Sequence, residues 1–245
     1  MNRQAQAAVL FLIGVAVLRA SFTDLYLRYV KAELRPLLMV AGAVLIVAAL
    51  ATVWYELRAL RAARNGAAEG HGSSGHDGHG HREPRVSWLL VLPLLALILV
   101  APPAPGSYSA MRAGTALKPL PAFPELPAGG TLRLGVGDYA GRAAYDDGRN
   151  LRDRRIKMTG FVALDRGGAP HLTRMTLNCC AADAQPVKVR LSGRLPPTLQ
   201  PDTWLEVTGT YSSKRAKDPV NGGVIPFFDV TRAAPVKPPS DEYEG

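Results

Sequence analysis

Cysteine and aromatic residues are scarce in this sequence: it has 2 cysteines among 245 residues, and Phe, Trp and Tyr together make up 7%. Because no Cys-x-x-Cys motif is present, a thioredoxin-like mechanism has no support. The sequence also lacks a nucleophile elbow and a glycine-rich phosphate-binding loop that follows a strand. These absences argue against hydrolase, kinase and nucleotide-binding chemistry, and we expect that the protein is not an enzyme.

Long apolar runs are abundant in the N-terminal part. Three stretches are almost free of charge: residues 7–22, 37–55 and 86–104. Each approaches the ~20 residues, at about 1.5 Å rise each, that cross a ~30 Å hydrocarbon layer. We therefore predict two transmembrane helices in residues 1–57 and a third at 86–105. The alternatives are a cleaved signal peptide for the first stretch and a buried core helix for the third.

Basic residues in the short loops predict the orientation of these helices. Three lie between the first and second stretches: Arg28, Lys31 and Arg35. Five lie between the second and third: Arg58, Arg61, Arg64, Arg82 and Arg85. Cytoplasmic loops carry the excess of Lys and Arg, so we predict a multi-pass protein with its C-terminal domain outside the cytoplasm. A composition rich in Ala, Arg, Gly and Pro favours a bacterial cell membrane.

Two groups of polar residues in the membrane part are candidates for function. Arg19 and Asp24 flank the end of the first stretch, and an ionisable group inside a span is a functional candidate. The alternative is an arginine at the membrane edge that extends to the headgroups. The glycine-rich loop 58–85 holds four histidines that can converge on Zn, Cu or Ni: His71, His76, His79 and His81. An unstructured spacer is the alternative for this loop.

Beyond the third stretch, residues 106–130 are rich in Pro, Gly and Ala and predict a tether without regular structure. Residues 131–237 then show apolar residues at a period of two, which is typical of half-buried strands. The segments are 132–136, 156–164, 171–177, 187–191, 204–211 and 224–230, with a short helix at 138–148. We expect residues 238–245 to form a disordered tail.

Glycines inside two of these strands favour a small closed barrel. The sequences KMTGFV and EVTGTY each place a glycine in mid-strand, where it relieves crowding at a sharp bend. The predicted fold is therefore an all-β, OB-like barrel attached to about three membrane helices, and an open sandwich is the alternative. The formal net charge of +9 permits nucleic-acid binding by such a barrel only if it faces the cytoplasm.

The only two cysteines, Cys179 and Cys180, are adjacent and lie just after a predicted strand. Such a pair can close a strained disulfide, offer two thiolates to a soft metal, or consist of small buried residues at a turn. A metal would need further ligands, for which Asp183 and His171 are the nearest candidates.

At these residues the sequence resembles the YcgQ-type subunit family of a two-component membrane permease complex. The resemblance is carried by the N-terminal apolar helices and by three segments: TGFV at 159–162, CCAADA at 179–184 and WLEVTGTY at 204–211. It implies a larger, multi-span permease-like partner. The resemblance names no transported substrate. Three spans are few for a pore, so we expect an accessory subunit, with transition-metal transport as its theme. A membrane-tethered binding module and a thiol redox protein are the alternatives.

Overall fold

The computed structural model describes residues 3–66, 91–100, 103–117, 119 and 122–244. The chain divides into two compact units. The first contains Met1–Tyr26 and Glu33–Pro102, and the second contains Leu27–Ala32 and Pro103–Gly245. The short segment Leu27–Ala32, which we call the connector, thus belongs to the C-terminal unit although it joins two helices of the first.

The first unit is helical. Its helices are α1, Arg3–Phe22, α2, Arg35–Gly66, and α3, Val91–Val100, and short 3-10 turns at Asp24–Arg28 and Ala32–Leu34 lie between α1 and α2. α1 and α2 cross closely at two glycines. A Cβ on Gly14 would lie 2.8 Å from Ile46, and one on Gly42 would lie 2.9 Å from Leu18, so larger residues would separate the helices.

Two helices in the described residues are long and apolar enough to cross a membrane: Gln4–Phe22 and Ala32–Ala62. Only 22% of the first apolar window and 11% of the second is buried within the protein. The core helix of a soluble protein would be mostly buried, so this exposure fits lipid contact better than a protein core.

The third predicted span is not among these candidates. The ten residues of α3 lie inside the predicted segment 86–105 and would cover about 15 Å, half of a hydrocarbon layer. Residues 67–90 and 101–102 lie outside the described residues, so a third transmembrane helix stays a prediction.

The end of α2 corrects one predicted boundary. The helix continues to Gly66, within the segment 58–85 that we predicted to be a loop. Apolar and helix-favouring residues continue beyond Tyr55, which explains the extra turns.

The C-terminal unit is built on a closed barrel of five strands. They are β2, Ile156–Leu164, β3, Pro170–Thr176, β4, Gln185–Gly193, β5, Trp204–Lys217, and β6, Val224–Pro235. The strand order is β2-β5-β6-β4-β3, and β3 pairs again with β2 to close the sheet. Only β4 and β6 run parallel within the ring. This closure confirms the OB-like barrel and excludes the open sandwich.

Mid-strand glycines allow the strands to approach closely. A Cβ on Gly160 of β2 would lie 2.7 Å from the carbonyl oxygen of Thr173, and one on Gly209 would overlap the carbonyl of Asp229. The barrel interior is filled by alternate residues of all five strands: Met158, Val162, Leu172, Val189, Leu205, Val207 and Phe228. Both glycines therefore serve the purpose that the sequence predicted for them.

A helix and two short strands flank the barrel. The first strand, β1, contains only Leu132–Arg133 and runs parallel to β2. Helix α5, Val136–Tyr145, follows it, so the strand predicted to reach residue 136 was too long. Tyr139 of α5 packs edge-on against Phe228 at 5.1 Å between ring centroids, and its hydroxyl donates to the carbonyl of Phe227. α5 thereby joins the barrel core.

Two segments that we expected to be unstructured contain regular secondary structure. The predicted tether 106–130 contains helix α4, Ser107–Arg112, whose first turn is fixed by the Asp202 carboxylate through the N–H and hydroxyl of Ser107. The predicted disordered tail 238–245 contains β7, Tyr243–Glu244, which pairs with β3. Both expectations were wrong because composition does not report contacts made far along the chain.

Candidate metal centre

The adjacent cysteines lie on a loop between β3 and β4 that is organised by one carboxylate. Asp183, at the end of the 3-10 turn Ala181–Asp183, accepts hydrogen bonds from the backbone N–H groups of Asn178, Cys179 and Cys180 at 2.8, 2.9 and 3.3 Å. The Cys179 thiol also donates to this carboxylate and contributes most to the shift. Together with the backbone donors it lowers the pKa of Asp183 to about 2. We call residues 177–184 the Cys loop.

The same carboxylate contacts the first thiol. Cys179 Sγ donates to Asp183 Oδ2 at 3.0 Å, and this hydrogen bond, with the nearby negative charge, raises the pKa of Cys179 to about 11. The Cys179 side chain is exposed and that of Cys180 is half-buried, and both thiols are free. The structure therefore contains no disulfide at this pair and does not bury Cys179 as a packing residue.

The three side chains form a compact ligand set. One ligand atom from each of Cys179, Cys180 and Asp183 lies within 4.8 Å of the other two. A tetrahedral zinc site places its sulfur and oxygen ligands at about 2.3 and 2.0–2.2 Å from the ion, hence ~3.5–3.8 Å from each other. Small side-chain rotations would therefore bring all three onto one ion.

His171 is not part of this set, which corrects our expectation. It lies at the start of β3, opposite Arg190 of β4, whereas the Cys loop follows the other end of β3. The five steps along the chain from His171 to Thr176 span roughly 16 Å at ~3.3 Å each. The imidazole is 2% exposed, its Nδ1 lies 3.1 Å from the carbonyl oxygen of Ala169, and burial lowers its pKa. His171 is a buried structural residue.

The connector forms backbone contacts with the Cys loop that the sequence did not reveal. Val30 and Cys180 form an antiparallel bridge, Lys31 N–H donates to the Cys179 carbonyl at 3.1 Å, and Ala181 N–H donates to the Tyr29 carbonyl at 2.7 Å. An isolated bridge of this kind leaves no periodic pattern in a sequence. The backbone of both cysteines is thus held by the segment that joins α1 and α2.

The C-terminal strand supports the same region. Tyr243 is buried and its hydroxyl donates to the carbonyl of Arg28 in the connector at 2.9 Å. The carboxylate of Glu244 accepts hydrogen bonds from the N–H groups of Val136 and Gly137, at the start of α5. These contacts link the connector, α5 and the barrel.

The other predicted site residues are Arg19, Asp24 and the four loop histidines. Arg19, in the last turn of α1, and Asp24 are both exposed, and a role for either stays a prediction. The loop histidines at positions 71, 76, 79 and 81 lie outside the described residues, so metal binding by that loop stays a prediction. Among the described residues, the Cys loop is the one place where three metal-ligating side chains meet.

The C-terminal unit is thus a closed OB-like barrel that carries a cluster of two thiols and a carboxylate beside β3. Residues 142–244 match the family model of the DUF1980 C-terminal domain. The match begins in α5 and ends in β7, so it covers the barrel, the Cys loop and the C-terminal strand. No curated protein and no solved structure matches the chain.

Proposed function

We propose that this protein is a membrane-anchored accessory subunit of a permease-type complex, of the YcgQ-type that its motifs resemble, and that it holds a transition-metal ion at the Cys loop. The observation that carries the proposal is the meeting of Cys179, Cys180 and Asp183 within 4.8 Å on an accessible loop. The DUF1980 match includes these residues, and the permease-subunit part rests on the motif resemblance.

The donor set favours soft and borderline ions. Two thiolates select Cu(I) or Zn over Mg and Ca, which prefer oxygen ligands. Three protein ligands leave a tetrahedral ion with one open position. Because the Cys179 side chain is exposed, a ligand from a partner protein can reach that position. We infer that the site passes an ion to or from the permease rather than storing it.

The protonation state of the thiol also fits metal binding better than redox catalysis. A reactive cysteine needs a lowered pKa, whereas the pKa of Cys179 is raised to about 11. A bound cation reverses this effect, since it replaces the thiol proton and compensates the Asp183 charge. The free protein therefore keeps Cys179 as an unreactive thiol, and the ion itself converts it to a ligand.

The connector supports placement of the metal site near the membrane. Lys31, whose N–H is bonded to the Cys179 carbonyl, precedes the first residue of α2, Arg35, by four positions, at most about 14 Å of chain. If α1 and α2 are spans, the connector and the barrel occupy the same side of the membrane. The basic residues at 58–85 favour the cytoplasm for the opposite side, so we propose an extracytoplasmic barrel.

Helix faces in the first unit support a membrane partner. Gly42 and Ala49 are used by the packing of α2 on α1, whereas Ala41, Val44 and Ala48 are exposed. Close packing between membrane helices needs such small residues. This second face of α2 is available to helices of a multi-span protein.

The proposal is tested by purification from the native host in mild detergent. The wild-type chain should be recovered with a multi-span protein and with about one metal ion per chain. The variant Cys179→Ser/Cys180→Ser should keep the partner and lose the metal, and Ser192→Ala is a matched control on the barrel. Recovery of the chain alone contradicts the subunit role, and unchanged metal content in the double variant contradicts the metal site.

A further inference from the structure

A cleft of about 660 Å³ lies on the barrel between α4, the β2–β3 loop and the β5–β6 loop. Its lining combines the apolar side chains of Met111, Leu164 and Val220 with the guanidinium groups of Arg112 and Arg166. The volume is within the range of small-molecule sites, about 300–1,000 Å³. Nothing in the metal centre uses these residues.

The cleft is lined by two arginines that have no carboxylate partner in the described part of the chain. The carboxylate in its lining, Asp165, accepts hydrogen bonds from the N–H groups of Gly167 and Ala169 at 2.9 and 2.8 Å and lies 3.9 Å from Arg190. A second carboxylate, Asp202, is already bonded to Ser107 at the edge of the cleft. Among the described residues, Arg112 and Arg166 form no ion pair. Arg112 instead lies over the ring of Tyr108 at 4.4 Å. The cleft therefore suits an anion.

Helix α4, which lines the cleft, follows an apolar helix closely along the chain. α4 begins seven residues after the last residue of α3, Val100, which limits the separation to about 25 Å. Tyr108 is 70% exposed and Val220 is 50% exposed. Exposed aromatic and basic side chains beside an apolar segment are typical of protein surfaces at the level of lipid headgroups.

We propose that this cleft binds the headgroup of an anionic phospholipid in the membrane that anchors the chain. The lipid phosphate pairs with Arg112 and Arg166, as guanidinium groups prefer, and the glycerol and first methylenes contact Met111, Leu164 and Val220. This inference rests on the membrane anchor in the proposed function and is independent of metal binding. Through the bound lipid, helix α4 holds the barrel at the membrane surface.

The experiment is hydrogen exchange on the full chain in nanodiscs of zwitterionic lipid, with and without about 30% phosphatidylglycerol. We expect the anionic lipid to slow exchange at least about threefold in peptides that cover 107–112, 164–167 and 219–220. The variant Arg112→Gln/Arg166→Gln should lose this protection. The matched control Arg194→Gln/Arg232→Gln, at two exposed arginines outside the cleft, should keep it.

Four outcomes overturn the inference. Equal exchange in both nanodiscs means that the cleft does not bind anionic lipid, and protection that survives Arg112→Gln/Arg166→Gln places the lipid elsewhere. Equal protection by glycerol 3-phosphate in detergent identifies a site for a soluble phosphate. A chain that fails to enter nanodiscs contradicts the membrane anchor, on which both the proposed function and this inference rest.

Discussion

The Cys179 thiol donates a hydrogen bond to the carboxylate of Asp183, with 3.0 Å between Sγ and Oδ2. The same oxygen also accepts the backbone N–H groups of Cys179 and Cys180. One side chain thus shapes the loop and keeps the thiol protonated. Asp183→Asn removes the charge and keeps one acceptor oxygen, while its amide nitrogen, which is a donor, replaces the other oxygen that now accepts N–H groups.

We therefore predict that Asp183→Asn increases the thiolate fraction of Cys179. The pKa of Cys179 falls from about 11 toward its ordinary value, since the anion that opposes thiolate formation is gone. Alkylation of Cys179 by iodoacetamide at pH 7.5 should accelerate at least about tenfold. Glu125→Gln, which neutralises an exposed carboxylate elsewhere, is the control and should leave the rate unchanged. A slower or equal rate in Asp183→Asn contradicts the proposed effect of the carboxylate.

A buried ion pair fixes the segment after α4 to the barrel. Lys188 Nζ lies 2.8 Å from Asp218 Oδ2, with the two side chains 1% and 0% exposed, and it also donates to the Ala113 carbonyl. Asp218 further accepts the N–H of Thr115, and these donors hold its pKa down despite burial. The segment 113–117 is therefore part of the folded unit.

Lys188→Met should destabilise the protein by about 3–5 kcal/mol, because it leaves the buried Asp218 charge without its partner. Thermal denaturation should show a melting temperature lower by roughly 10 °C or more. The double variant Lys188→Met/Asp218→Leu should recover most of this loss. If the single variant melts within about 2 °C of wild type, the pair contributes little to stability.

The close approach of strands at Gly160 gives a prediction for the barrel. Gly160→Ala should lower the free energy of unfolding by about 1–3 kcal/mol, since the new methyl group would overlap the Thr173 carbonyl. Gly137→Ala is the control, because its Cβ meets only Glu244, at 3.4 Å. Chemical denaturation measures both. Equal stability of the two variants would mean that the barrel does not require close contact at this strand.

The buried imidazole of His171 predicts a pH dependence of stability. Burial lowers the pKa of His171 in the folded protein below the ~6.5 of the unfolded chain. At a pH between these two pKa values, the unfolded chain binds a proton that the folded protein does not. Stability should therefore fall as the pH drops below ~6.5. His171→Asn, which retains a donor toward Ala169, should reduce the difference in melting temperature between pH 7.5 and pH 5.5. An unchanged difference assigns the pH dependence to other groups.

The barrel could be predicted from sequence because its determinants are local. Alternation of apolar residues marks each strand, and Gly160 and Gly209 mark the places where strands bend. The cysteine pair with Asp183 was also visible, since the three residues are close in sequence. They meet because one short loop folds back on itself, and the Asp183 carboxylate holds it in place by accepting hydrogen bonds from the loop's N–H groups.

The remaining features depend on contacts between distant segments. Tyr243 is ordered by the Arg28 carbonyl and Glu244 by the start of α5, so the composition of the tail gave no sign of either. α4 is held by Asp202, which is far along the chain. Val30 and Cys180, which form the isolated bridge, lie outside any strand-like alternation of apolar residues. Such pairings are determined by the folded barrel and not by local propensity.

The proposed metal site is tested most directly by titration of Co²⁺, as a probe for the ion, into the full chain in detergent under reductant at pH 7.5. The four loop histidines are first replaced by alanine, so that only the Cys loop can supply strong ligands. We predict a thiolate-to-cobalt charge-transfer band that saturates at about one ion per chain and weakens as the pH falls, because binding releases thiol protons. Cys179→Ser/Cys180→Ser should abolish the band. Absence of the band in the parent, or the same band in the double variant, would contradict a metal site at Cys179 and Cys180.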